Sequence, residues 1–260
     1  MKVLALLVRL HWGFSVTLPY VSGSRPSYPL PPPSTLVGAL AAACGRGAEV
    51  VEEGGVPVSS AYSVAKRVRW ASAGFLDYYT TSSQLIRYFT GPYQSRKTLT
   101  QDIPASLNVA ELFSPISLGY VFSPGGRLLV TFWGEGVEQY KDCAWWVYRV
   151  GSKESIVAVE DVEVAEAKAA DAATSLVYFP TRAGASGGYG FNIQLWRRGG
   201  RPSWLCTYMH HFAEGCESVE EELRYAPPGG VVEVSKSAYV AEVFEHYVVA
   251  APRGDEWHYE

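Results

Sequence analysis

Residues 78 to 101 of this 260-residue chain carry Tyr78, Tyr79, Tyr88, Phe89 and Tyr93 interleaved with Arg87, Arg96 and Lys97, and no acid. Aromatic faces stack on unpaired bases and cations neutralise phosphates, so this mixture suits single-stranded RNA. For any one ring the alternative is packing on its own domain. Arg67 and Arg69, two residues apart, would share one face of a strand and aim at one ligand, with Arg9 beside them if the first strand is adjacent. Plain solvent exposure on an open sheet is the simpler alternative. The loop "RVGSKES" sets Arg149 and Lys153 around Gly151, where a glycine lets the backbone approach a ligand.

Two other chemistries are weaker. "CTYMHHFAEGC" holds Cys206, His210, His211 and Cys216, all zinc-type ligands. Their spacing matches no common zinc pattern, and on a strand Cys206 and His210 would stand about 13 Å apart. They read as thiols and half-exposed histidines, with a Cys206–Cys216 disulfide left open. No metal and no cofactor is expected. His11, Tyr62, Lys66, His210 and His211 could serve metal-independent acid–base cleavage of RNA, but nothing in their spacing brings them together.

The net charge of −4 argues against a polyanion until the chain is divided. Residues 1 to 100 carry ten Lys and Arg against four acids, and residues 101 to 260 carry twelve against twenty-two. The first part therefore has the charge of a polyanion-binding surface. "MKVLALLVRLHW" opens like a signal peptide, but Arg9 and His11 interrupt it and no small-residue cleavage site follows. No apolar run reaches the ~18 residues that cross a bilayer. A soluble, cytoplasmic protein without a membrane partner is expected. Four scattered cysteines do not make a secreted disulfide scaffold.

The elements that must position these residues follow from periodicity. Residues 3 to 12 alternate as a strand with one deeply buried side. In "SYPLPPPSTLVGALAAACG", Pro31, Pro32 and Pro33 hold an extended segment and Ser34 is the expected N-cap, free also to help hold a phosphate. Leu36, Val37, Leu40, Ala41 and Cys44 then form a buried helical face. Gly38, Ala39, Ala42 and Ala43 keep the helix slim for packing on a sheet, and Gly45 or Gly47 closes it. Alternation predicts further strands over 61–70, 127–133 and 154–164, and a second helix from Val137 to Gly151. The order strand, helix, strand, strand, helix, strand is ferredoxin-like. Between the second and third strands lie about 55 residues, roughly 71–125, and connections of that length are usually functional. The expected division is an α+β, ferredoxin-like domain over 1–166 and a β-rich section over 167–260.

"YPLPPPSTLVGALAAACG" and "YRVGSKESIVAVEDVEV" resemble two segments of a CRISPR-associated family, the fifth-numbered Cas protein, a RAMP-type subunit. The second segment is most similar to the archaeal type I-A branch, and the resemblance covers roughly residues 1 to 165. It implies a ferredoxin-like domain with a long hairpin thumb, in a non-catalytic Cascade subunit. That subunit binds the 5′ handle of crRNA and contacts the backbone subunit and the large subunit. The runner-up is the branch that cleaves repeat RNA itself. On this reading the RNA-binding residues are Arg9, Arg25, Ser34, Arg67, Arg69, Arg87, Tyr88, Tyr93, Arg96, Lys97, Arg149 and Lys153, and none is catalytic.

Overall fold

Lys2–Leu10 forms β1, followed by the short strands β2 (Gly13–Phe14) and β3 (Ser24–Arg25) and the helix α1 (Pro33–Cys44). A small hairpin, β4 (Val51–Glu53) and β5 (Val56–Val58), leads to α2 (Ala61–Ala65) and β6 (Trp70–Phe75). Next come β7 (Thr80–Arg87), β8 (Pro115–Phe122), β9 (Arg127–Gly134), a 3-10 turn at Val137–Tyr140, α3 (Lys141–Ala144) and β10 (Val157–Glu166). This computed structural model describes residues 1–18, 24–45, 51–53, 56–58, 61–87, 115–198, 201–202, 216–254 and 257. The fold is mostly β, with few helices.

The central sheet runs β10-β1-β9-β6, every pair antiparallel. Leu4 and Ala5 point to opposite faces of β1, and both are fully buried. Leu4, Leu6, Val8 and Leu10 give β1 the deeply buried side expected, and its other side is also buried at Val3 and Ala5 but half-buried at Leu7 and exposed at Arg9. Beyond Glu166 the chain forms short strands and one long pair, Tyr189–Arg198 with Cys216–Tyr225. Val177, Tyr178, Ile193, Leu195, Leu223, Val243, Val249 and Trp257 join the strands of the central sheet in one hydrophobic cluster. The two backbones come close at Gly74, where a Cβ would lie 2.0 Å from the Leu176 carbonyl oxygen.

Two predicted elements are corrected. Residues 61–70 are not one strand: Val64, Ala65 and Val68 are buried at helical spacing in α2 and the turn after it. Pairing to β9 resumes only when the Arg69 N–H donates to the Trp133 carbonyl at 2.7 Å. Alternation and helical spacing coincide over so short a run, and the available sheet edge decides between them. The helix expected over 137–151 is α only from Lys141 to Ala144. Trp146 and Val147 donate to carbonyls three residues back, and the chain turns away. Cys143 of this turn is disulfide-bonded to Cys44 at the end of α1, and Cys216 also stands in a disulfide. Cys206 lies outside the described residues.

The connection from β6 to β9 leaves the central sheet. Its strands β7 and β8 pair antiparallel from Thr80↔Phe122 to Arg87↔Pro115. On its other side β8 pairs with β2 and β3. Asp77 and Arg127 clasp the base: Oδ2 accepts from the Arg127 backbone N–H and Nε at 2.9 Å each, and Oδ1 accepts from Nη2 at 3.2 Å. The guanidinium hydrogen bonds hold the Asp77 carboxyl below its ordinary pKa.

Candidate nucleic-acid interface

The proline run aims α1 differently from expectation. Pro32 is the N-cap residue, in extended conformation, and Pro33 occupies the first helical position, where its missing N–H forfeits no helical bond. Ser34 is therefore already inside the helix, exposed, and makes no capping bond. Its expected capping role is corrected; the Pro32 carbonyl instead accepts the N–H groups of Thr35 and Leu36 at 3.0 and 3.2 Å. The Tyr178 hydroxyl, 3.1 Å from the Pro31 carbonyl and 3.2 Å from that of Ala71, ties this loop to β6.

Leu36, Val37, Leu40 and Ala41 form the buried face of α1 as read, and Gly45 ends the helix, donating to the Ala41 carbonyl at 2.7 Å. Of the small residues, Ala39 and Ala43 pack against the hydrophobic core as expected, but Gly38 does not. A Cβ on Gly38 would meet nothing within 4 Å. Gly38, Ala39 and Ala42 floor a recess of about 220 Å³, walled by Thr35, Tyr148, Arg149 and Gly151. The Arg149 guanidinium lies 5.7 Å from the centre of the Tyr148 ring, within cation–π range. Gly151 has φ +98°, and a Cβ there would lie 2.7 Å from the Ser15 carbonyl oxygen. Its close approach is thus to the protein's own backbone, where the Ser152 N–H donates to the same oxygen at 2.9 Å. Lys153, two residues on, is exposed.

Arg67 and Arg69 do not share a strand face. Lys66 and Arg67 are exposed in the turn after α2, and Arg69 is half-buried just before β6. The Arg67 guanidinium lies against Gly136. Arg9 is exposed on β1 but bonds Glu160. Glu160 is the extra residue of a bulge, since Leu7 pairs with Asp161 and Val8 with Val159. Arg25 is exposed on β3, and Arg87 ends β7. Within the insertion Tyr78 is 88% exposed. Tyr79 stacks on Phe75 at 4.1 Å, and its hydroxyl donates to that of Tyr225 at 3.1 Å. Burial and that bond raise the Tyr79 pKa. Tyr88, Phe89, Tyr93, Arg96, Lys97, His210 and His211 lie outside the described residues.

Several exposed rings were missed by the sequence reading. Trp145, Trp146 and Tyr148 project from the turn after α3, and Phe122 is exposed beside Trp12 and Tyr120. The adjacent "WW" was a usable signal, masked by reading the segment as one helix.

These elements define a mostly β protein whose fold is that of a known CRISPR protein. The crystal structure of a CRISPR protein from Archaeoglobus fulgidus aligns over 97% of this chain and 100% of that one, with TM-score 0.56 at 20% identity. The sequence profile described as CRISPR-associated protein (Cas_Cas5) matches residues 5–112. In Saccharolobus solfataricus, the protein named CRISPR system aCascade subunit Cas5 1 is 33% identical over 165 residues, and CRISPR-associated protein Cas5 3 is 30% identical over the same length. Each alignment takes in 63% of this chain and 65% of the relative, a little under two thirds of its length. Over these stretches the chain is similar to CRISPR-associated Cas5 proteins.

Proposed function

We propose that this chain is a non-catalytic subunit of a type I Cascade surveillance complex. It binds the 5′ handle of crRNA and contacts the backbone subunit and the large subunit, in antiviral defence in the cytoplasm. The observation that carries the reading is the 33% identity to a relative named as an aCascade subunit. The four strands of the central sheet, counted along the chain, stand in the order 4-1-3-2 with helices in both crossovers. That order supports a ferredoxin-like RAMP domain over 1–166, with the β7–β8 hairpin as the root of its thumb and 167–260 as a β-rich section sharing its core. Arg25, Lys153 and the Arg149–Tyr148 pair offer cations and a ring to RNA, and Arg67 a further cation at a distance from them. Tyr88, Tyr93, Arg96 and Lys97 would extend that surface along the thumb.

The cleavage alternative draws no support from the described residues. His11 follows the last residue of β1, whereas Lys66 lies near the opposite end, where Trp70 pairs with Trp133 and Lys2 with Gly134. Nine residues of strand span about 30 Å, too far for one acid–base pair. Incubation of the purified protein with CRISPR repeat RNA tests the proposal. A stable, uncleaved complex is expected, its affinity falling with salt by a slope of about −0.7 per phosphate neutralised. Cleavage, or no binding, overturns it.

A further inference from the structure

At the root of the β7–β8 hairpin lies a recess of about 520 Å³ whose lining, among the described residues, carries no charge: Trp12, Thr80, Ser82, Gln84, Tyr120 and Phe122. The strand ladder explains the grouping. Thr80, Ser82 and Gln84 alternate along β7 and so share one face. Phe122 stands directly across from Thr80, and Tyr120 across from Ser82. Trp12 closes one end, edge-on to Tyr120 with ring centres 5.5 Å apart. It is fixed there because its Nε1 donates to the Glu154 carbonyl at 2.6 Å, and its own carbonyl accepts the Ser123 N–H at 2.8 Å.

The row of hydroxyls and an amide on β7 is exposed, and Phe122 is 45% exposed. The volume lies in the ~300–1,000 Å³ range of small-molecule sites. Rings on one strand facing hydrogen-bonding side chains on the next, without a cation among them, provide for a flat aromatic ligand with polar edges and not for a phosphate. Lys153 is exposed and adjoins in sequence the Glu154 whose carbonyl anchors Trp12.

We propose that this recess is a nucleobase site: one unpaired base stacks on Phe122 or Tyr120 and is read along its edge by Gln84 and Ser82. Gln makes its characteristic bidentate pair with the N6 amino group and N7 of adenine, and on that pairing adenine is the preferred base. The inference rests on the RNA-binding reading above and adds to it a sequence-reading element built from uncharged residues.

Fluorescence anisotropy with labelled eight-nucleotide oligo(A), oligo(U) and an abasic ribose-phosphate chain tests it. Oligo(A) is expected to bind about ten-fold tighter than oligo(U), and Phe122→Ala to weaken oligo(A) about ten-fold. Gln84→Ala, an exposed substitution, is expected to erase the preference for A while leaving oligo(U) affinity and the melting temperature unchanged. Equal affinity for the abasic chain and oligo(A) overturns the nucleobase site and leaves RNA binding standing. So does a pair of variants that bind RNA normally but no longer associate with another subunit, which makes the face a protein interface. Absence of binding to all three probes and to repeat RNA overturns both readings.

Discussion

Cys44, the last residue of α1, is disulfide-bonded to Cys143 in α3, 99 residues further along the chain. The bond fastens the helix that floors the recess to the turn that carries Tyr148 and Arg149 on its wall. A cross-link closing so long a loop restricts the unfolded chain strongly. Cys143→Ser is expected to destabilise by about 2–5 kcal/mol. Urea denaturation of the variant and of wild type, with and without reductant, measures this. The variant should be the less sensitive of the two to reductant.

The Asp77–Arg127 clasp makes the hairpin base sensitive to acid. Because the folded-state pKa of Asp77 lies below its unfolded value, its stabilisation is fully present above the ordinary carboxylate range, near pH 4, and is lost as pH falls through the lower folded value. Both side chains are more than a third exposed, so Asp77→Asn should cost only about 0.2–1 kcal/mol at pH 7. Denaturation midpoints of wild type and variant should converge as the pH is taken below that range.

Ser34 and Gly38 separate architecture from binding on α1. Ser34 makes no cap, so Ser34→Ala should change stability by no more than about 0.5 kcal/mol. Gly38 faces open space in a helix interior, so Gly38→Ala should stabilise by about 0.4–1 kcal/mol. Thermal melts check both. Loss of RNA affinity in either variant at undiminished stability would mark the recess as a contact.

The neighbouring tyrosines of the insertion should behave oppositely. Tyr79→Phe removes the bond to Tyr225 and should destabilise by about 0.5–1.5 kcal/mol. Tyr78→Ala, at a fully solvated ring, should leave the melt unchanged. If Tyr78 stacks on a base, the same substitution lowers RNA affinity about ten-fold.

Local periodicity and composition were enough for part of this. The strand read over 3–12 and found at Lys2–Leu10, the helix buried through Leu36, Val37, Leu40 and Ala41, and the strand read over 127–133 and found at Arg127–Gly134 each follow from short-range spacing that water and backbone geometry enforce wherever the chain goes. The family resemblance was also legible, because it rests on contiguous residues.

What tertiary structure alone decided involves partners distant in sequence. Ser34 lost its capping role because Pro32 could occupy that position in the extended conformation. Arg67 and Arg69 parted because β9 offers its edge only from residue 69 onward. Arg9 met Glu160 through a bulge in a strand 151 residues away, and Thr80, Ser82 and Gln84 acquired their aromatic neighbours only when β8 and Trp12 closed beside them. A sequence states which face a residue takes within its own element; which element covers that face is settled by long-range packing, whose contacts leave no periodic trace in the chain.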